Sequence, residues 1–308
     1  MLLTASTSGS GASLAPSLDW FRTLVRTAER GGVDALLLDG QWGAGESFVL
    51  DPIPLLVALA ECSTYIGLAG AIEIDHAEPF NIARSFAAAD RLTAGRSALI
   101  TATGARKPGD FGHALKHTTA ERYARAAECI AVARKLWDSW EDEAILLDKP
   151  NGRFSNPDRV HPINHAGTHF SVRGPLNAPR PLQGNPPVIM RDASPEGFAL
   201  ARESADLFIA PESSDLAAIR RTIGERPRLL ATVPFAGKPQ ACVAEIVELS
   251  ARCDGVDIVS ATLPADLELF VDEVVPLLRA RGLRPSAYAG KTLREHLGLS
   301  RPRSQFAA

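Results

Sequence analysis

Short apolar runs alternate along this chain with longer stretches whose apolar residues recur at helical spacing, the pattern of repeated strand–helix units. The run Leu2 to Ala5 predicts a first strand. After a Gly/Ser-rich loop a helix begins near Ser17, with Trp20, Phe21, Leu24 and Val25 on one face, and Gly31-Gly32 stops it. The second unit is the strand Val33 to Leu38 and a helix after Pro52 carrying Leu55, Leu56, Leu59 and Ala60. The third is Ile66 to Ile72 with a helix opening at Glu78-Pro79, where proline suits the first turn. The fourth strand, Ser97 to Thr103, leads through a Gly/Lys/Pro loop to a long helix from about Thr119 to Trp140.

Residues 141 to 185 break this rhythm. They are rich in proline, glycine and asparagine, hold one strand-like piece at His169 to Val172, and are too poor in aliphatic residues to build a core of their own. Four more units follow: Pro187 to Met190 with helix Pro195 to Glu203, Asp206 to Ile209 with Leu216 to Ile223, Arg228 to Val233 with Val243 to Arg252, and Val256 to Ser260 with Leu267 to Arg281. Eight units is the count at which a parallel sheet closes, so the expected fold is an α/β (β/α)₈ barrel over residues 1–285, with 141–185 as an excursion and 286–308 as a C-terminal tail. An open doubly wound sheet is the alternative; the glycines of Ser8-Gly9-Ser10-Gly11 never complete the G-x-G-x-x-G turn that such sheets often carry.

Composition narrows the function. Net charge is −3, which offers no basic face for nucleic acid or anionic lipid. No apolar stretch approaches the ~18 residues of a membrane span, and the N-terminus lacks a basic, then apolar, secretory leader. Cys62, Cys129, Cys242 and Cys253 form no CxxC pair and read as buried or free thiols, which fits a reducing cytoplasm.

In a barrel the chemistry belongs at the C-terminal ends of the strands. That selects Asp39, then Glu73, Asp75 and His76, then Thr103, and finally Arg191, Asp192 and Ser194. His161, His165 and His169 recur every four residues, but prolines and a glycine prevent one helix face, so no metal site is expected. No G-x-S-x-G elbow and no P-loop lysine is present. The segment Asp192-Ala193-Ser194-Pro195-Glu196-Gly197 opens a helix at its positive end, where backbone N–H groups and the serine suit a phosphate; Arg191 could add charge, whereas Asp192 would repel an anion. Ser194 is equally suited to be a helix cap.

Longer motifs now bear on the question. Glu78-Pro79-Phe80-Asn81-Ile82-Ala83-Arg84 with Phe86, Asp90-Arg91-Leu92 and Gly95-Arg96 resembles the third-helix signature of luciferase-like flavin-dependent monooxygenases of the nitrilotriacetate and dibenzothiophene-sulfone branch. So do Arg122-Tyr123, Leu136-Trp137-Asp138-Ser139-Trp140, Phe170-Ser171-Val172-Arg173-Gly174-Pro175 and Gly290-Lys291-Thr292-Leu293-Arg294-Glu295-His296-Leu297-Gly298-Leu299, in the family's order.

The resemblance implies a barrel that takes reduced FMN from a separate NAD(P)H-dependent flavin reductase and uses O₂ to oxygenate a small organic substrate, the protein supplying a dry pocket and orientation. By position, Asp39, Thr103, Tyr123, Arg191, Ala193 and Ser194 are the cofactor contacts it implies. Ala71 stands where threonine is common, Ile100 where asparagine is expected, Met190 for a glutamine, Asp192 for a glycine, and Thr119 for a histidine that His117 would replace as a catalytic candidate. The connection Pro234 to Pro239 is short where longer relatives carry an insertion over the site.

The expected function is therefore an FMN-dependent monooxygenase. The alternative is a degenerate barrel with weak flavin binding serving as a partner or regulatory protein, and a deazaflavin enzyme ranks third. Homo-oligomers are expected, with the tail from Ser286 able to pack on a neighbour or on its own barrel. The absence of an arginine cluster argues against a polycarboxylate substrate.

Overall fold

The computed structural model describes residues 1–7, 16–38, 50–103 and 117–306. The described chain runs β1 (Leu2–Ser6), α1 (Leu18–Gly31), β2 (Ala35–Leu38), α2 (Pro52–Ala60), β3 (Gly67–Glu73), α3 (Pro79–Leu92), β4 (Ser97–Ala102) and α4 (Thr119–Asp138). The excursion follows as two small antiparallel hairpins, β5 (Ile145–Asp148) with β6 (Arg153–Ser155) and β7 (His165–Ala166) with β8 (Ser171–Val172). Then come β9 (Val188–Met190), α5 (Pro195–Ser204), β10 (Leu207–Ala210), α6 (Leu216–Ile223), β11 (Arg228–Pro234), α7 (Pro239–Leu249) and β12 (Gly255–Val259). The last helical stretch is α8 (Ala265–Leu269), a π-turn over Phe270–Val274 and α9 (Val275–Ala280), before the short α10 (Leu293–His296).

Eight parallel strands close in the order β1-β12-β11-β10-β9-β4-β3-β2, the expected barrel. Local chemistry sets the helix starts. Ser17, Asp51 and Asp215 accept backbone N–H groups that open α1, α2 and α6, and Thr118 with Glu121 forms a reciprocal capping box at α4. Gly32 ends α1 in the left-handed conformation at φ 71°. Helix α7 begins at Pro239, four residues before the apolar periodicity starts, because proline fits the first turn and needs no buried partner.

Alternation along the strands produces two cores. Leu3, Leu36, Leu68, Leu99, Val188, Met190 and Phe208 face the helices. Ala35, Leu37, Ala69, Ala98, Ile100, Ile189, Leu207, Ile209 and Leu230 face inward, and Leu293 and Leu297 of the tail pack among them. The tail thus lies on its own barrel and plugs it from the N-terminal end of the strands. Its alternative placement on a neighbour is corrected by this packing: Arg294 Nε donates to Asn185 O at 2.7 Å, Arg301 forks onto Asp142 at 2.6 and 2.7 Å, and Gln305 N donates to Asp138 Oδ2 at 3.2 Å.

That end of the barrel is held by a repeated device. An aspartate immediately precedes β2, β10 and β12, and each accepts an N–H from the neighbouring strand: Leu3 to Asp34 (2.8 Å), Val188 to Asp206 (3.0 Å) and Leu229 to Asp254 (2.8 Å). Each carboxylate also meets arginine, Arg284 on Asp34, Arg134 and Arg294 on Asp206, Arg220 and Arg228 on Asp254, so each of the three charges is compensated.

The closing seam pairs Leu2 with Gly255. A Cβ on Gly255 would sit 2.4 Å from the Leu2 carbonyl oxygen and 2.6 Å from its Cβ, so only glycine fits. Gly255→Ala should cost about 1–3 kcal/mol of stability, measured by urea unfolding; an unchanged midpoint would show that the seam relaxes freely.

The Arg301 hydrogen bonds hold the Asp142 carboxyl below its ordinary 3.8. A carboxyl whose folded value is depressed contributes stability above its unfolded value and loses it as pH falls through the folded one. Both side chains are about half exposed, so the contribution is about 0.5–1 kcal/mol. Arg301→Gln should lower stability at pH 7 by that amount, and by progressively less as pH falls below 3.8 through the folded value, measured by urea unfolding across that range.

Candidate active site

The inward positions change character toward the C-terminal ends of the strands. Ala71 and Glu73 of β3 and Ile100 and Ala102 of β4 continue the inner rows there, beside Ser6 of β1 and Asp257 of β12. Asp257 is buried at 1% exposure inside the barrel. Its Oδ1 accepts from Thr4 Oγ1 at 2.6 Å and its Oδ2 from Ser6 Oγ at 2.6 Å. Arg191, just past β9, reaches across the barrel to donate to Ser6 Oγ at 2.5 Å and lies 3.4 Å from Asp257 Oδ2. A buried carboxylate is tolerable because it is both hydrogen-bonded and ion-paired. The strand sequence Gly255-Val-Asp-Ile-Val carried the signal for this group: an aspartate centred in an apolar strand of a parallel sheet has to face something polar.

Beside this network lies the opening of α5. Ser194 is its N-cap, and its Oγ accepts from Gly197 N at 3.0 Å. The Ser194 N–H goes to Asp192 Oδ1 at 2.8 Å, and Tyr123 of α4 donates its hydroxyl to Asp192 Oδ2 while standing 3.2 Å from Ser194 Oγ. Gly197 makes this possible: a Cβ there would lie 2.4 Å from Asp192 O.

The structure brings Tyr123 and Ser194 together. It separates Arg191 from them: the guanidinium enters the barrel and is not the cation of the α5 opening, because Asp257 and Ser6 draw it inward. Ala71 faces the interior as expected. Met190 faces the helix layer, so its difference from glutamine falls outside the inner row. Thr103 is half-buried at the end of β4, and Ala193 is exposed. Asp39 lies outside the described residues.

His117 precedes the α4 cap, half-buried, with Nδ1 4.0 Å from Glu121 Oε2 and its ring edge-on to His169 at 6.4 Å. Asp75 and His76 sit in the β3–α3 turn, 3.8 Å apart. Arg125 of α4 fixes that turn, donating to Asp75 O at 2.9 Å and to Glu78 Oε1 at 3.0 Å while stacking 4.2 Å from the Phe170 ring centroid.

Among the described residues no group of three or more His, Cys, Asp or Glu side chains could hold a metal ion, and no helix is long and apolar enough to cross a membrane. Burial pushes the Cys129 and Cys242 thiols up to about 12, so neither is a thiolate nucleophile at neutral pH.

A closed parallel barrel with an inward charge network and a capped helix opening at its C-terminal rim has the architecture of the α/β-barrel enzymes, whose active sites lie at that rim. The sequence pattern of the family described as luciferase-like monooxygenase matches residues 1–248, and the chain belongs to that family. It is a flavin-dependent monooxygenase.

One of the pristinamycin IIA synthase proteins of Streptomyces pristinaespiralis is 34% identical over 308 positions, covering 100% of this chain and 97% of that one. Nitrilotriacetate monooxygenase component A of Aminobacter aminovorans is 27% identical, covering 95% and 92%; its 418 aligned positions exceed the 308 residues here, so it carries inserted segments that this chain lacks. The solved EDTA monooxygenase from Chelativorans sp. BNC1 shares the fold at TM-score 0.83 and 24% identity, covering 98% of both chains.

The residues present fit a flavin unevenly. Ala71 and Ala102 are small side chains near the C-terminal ends of β3 and β4. At the α5 opening, however, the Ser194 N–H and the Tyr123 hydroxyl are already bound to Asp192. Ser194→Ala should cost about 1 kcal/mol through loss of the Gly197 cap, seen as a lowered melting temperature; an unchanged value would mean that another acceptor takes over.

Proposed function

We propose that this monooxygenase works with reduced FMN supplied by a separate NAD(P)H-dependent flavin reductase, together with O₂, on a small organic substrate. What supports the reading is the juxtaposition of Tyr123 and Ser194 at a helix opening beside an inward-facing rim of small side chains, in a chain of this family. Nitrilotriacetate monooxygenase component A is named as one component of its system, which fits delivery of the reduced cofactor from a second protein.

When bound, reduced flavin supplies the two electrons that let one atom of O₂ enter the substrate while the other leaves as water. The chain's own residues do the rest. Tyr123, Ser194 and Thr103 would line the cofactor's polar side, Asp39 its near edge, and Ala71 and Ala102 the apolar floor that keeps water away. The Arg191–Asp257 pair sets a fixed, neutralised dipole across the barrel beneath the reacting groups. His117 is the proton-handling candidate because it stands at the open end of α4. The short link from β11 to α7, Pro234 to Pro239, leaves the mouth without a long cover from that side.

The non-catalytic reading is not favoured, since the relatives are named as monooxygenases and as parts of a synthase. The relative of matching length is named as one part of a synthase with more than one chain, which supports association with a second chain, either a copy or a longer homologue.

Anaerobic titration with reduced FMN should saturate in the micromolar range, and adding O₂ with a flavin reductase and NAD(P)H should oxygenate a suitable small substrate. A titration that fails to saturate by millimolar flavin would remove the assignment. Light scattering should give more than the single-chain 32.9 kDa; a monomer at working concentration would remove the oligomer.

A further inference from the structure

The opening of α5 already contains an anion, and it belongs to the protein. Asp192 places one carboxylate oxygen on the Ser194 N–H at 2.8 Å and the other on the Tyr123 hydroxyl. Pro195 has no N–H to offer, and the Gly197 N–H is taken by Ser194 Oγ. The fit is close: a Cβ on Gly197 would come within 2.7 Å of the Asp192 Cγ, so the carboxylate lies flush against the first turn. The nearest cation in sequence, Arg191, is committed to Ser6 and Asp257 inside the barrel, and Glu196 adds a second acidic side chain to the first turn. The Ser194 N–H and the Tyr123 hydroxyl at this helix opening thus satisfy a carboxylate, and a phosphate dianion brought to the same place would meet a like charge.

We propose that Asp192 is a built-in substitute for the cofactor's terminal phosphate, so that this site holds a flavin by its ring and ribityl chain and does not select the phosphorylated form. The inference rests on the flavin reading above. It makes Asp192 the residue that sets cofactor specificity, and its ligand class is flavin at the riboflavin level, with FMN admitted only with its phosphate turned away from α5. Weak hold on the phosphate also suits a flavin that enters reduced and leaves oxidised on every turnover.

The test compares riboflavin and FMN, each by fluorescence titration in the oxidised form and by anaerobic absorbance titration when reduced, against wild type, Asp192→Asn and Asp192→Gly. Asp192→Asn has the same shape and keeps an acceptor for the Ser194 N–H, so its fold can be verified by circular dichroism before binding is measured. In wild type the two flavins should bind within about tenfold of one another. Asp192→Asn should tighten FMN by about tenfold or more while leaving riboflavin within about twofold, and Asp192→Gly should do the same. Wild-type preference for FMN beyond tenfold, or an Asn variant with unchanged FMN affinity, would overturn the proposal and leave the flavin assignment standing. Absence of binding by either flavin in either oxidation state would overturn the assignment and the proposal together.

Discussion

The architecture depends on one close approach, that of the Gly255 backbone to Leu2 at the seam where the last barrel strand meets the first. An open sheet of these strands would leave two rows of backbone donors and acceptors unpaired; closure satisfies both at once. The pairing of Leu2 through Ala5 with Gly255 through Ile258 fixes the register, and register decides which side chains point inward. A slip of β1 by one residue would turn Thr4 and Ser6 toward the helices and take away the donors of Asp257. The inner charge network and the seam are therefore one constraint seen at two levels.

The two ends of the barrel solve opposite problems. At the N-terminal end of the strands the interior is dry, filled by Leu293 and Leu297, and ringed by aspartates that tie neighbouring strands and are neutralised by arginine. At the other end the interior carries the polar network of Thr4, Ser6 and Asp257, with Arg191 reaching across to it. Packing and ion pairs are thus concentrated at the end of the barrel away from the rim where barrel chemistry lies.

Much of this was legible in the order of apolar runs: eight strand–helix units, their approximate limits and the interruption after the fourth helix. Helix starts were readable because Ser17, Asp51 and Ser194 are short polar residues placed where backbone N–H groups need an acceptor. In the excursion the piece read at His169 to Val172 contains β8, whereas β5 and β6 were not readable, since they are brief, lie at the surface and expose Leu146, Leu147 and Phe154. In the site, Tyr123 and Ser194 could be paired in advance through the family pattern. The direction of Arg191 could not, because it is decided by Asp257, 66 residues further along and on a strand three places away around the barrel. Met190 looked like a pocket residue until strand alternation placed it on the outer face. Side-chain direction at the end of a strand is a tertiary property, and spacing alone does not report it.

The seam also dictates a timetable. The terminal ammonium of Met1 donates to Leu283 O, Arg284 holds the Met1 carbonyl, and Thr4 finds its acceptor 253 residues downstream. On the ribosome the first strand is made long before its second neighbour exists. At ~5–20 residues per second it waits for tens of seconds with one edge uncovered. During translation the unpaired edge of β1 is thus a template for premature pairing with another nascent chain. Swapping the order of synthesis by circular permutation, so that β12 and β1 emerge together, would shorten that exposure while keeping the strand pairing of the seam.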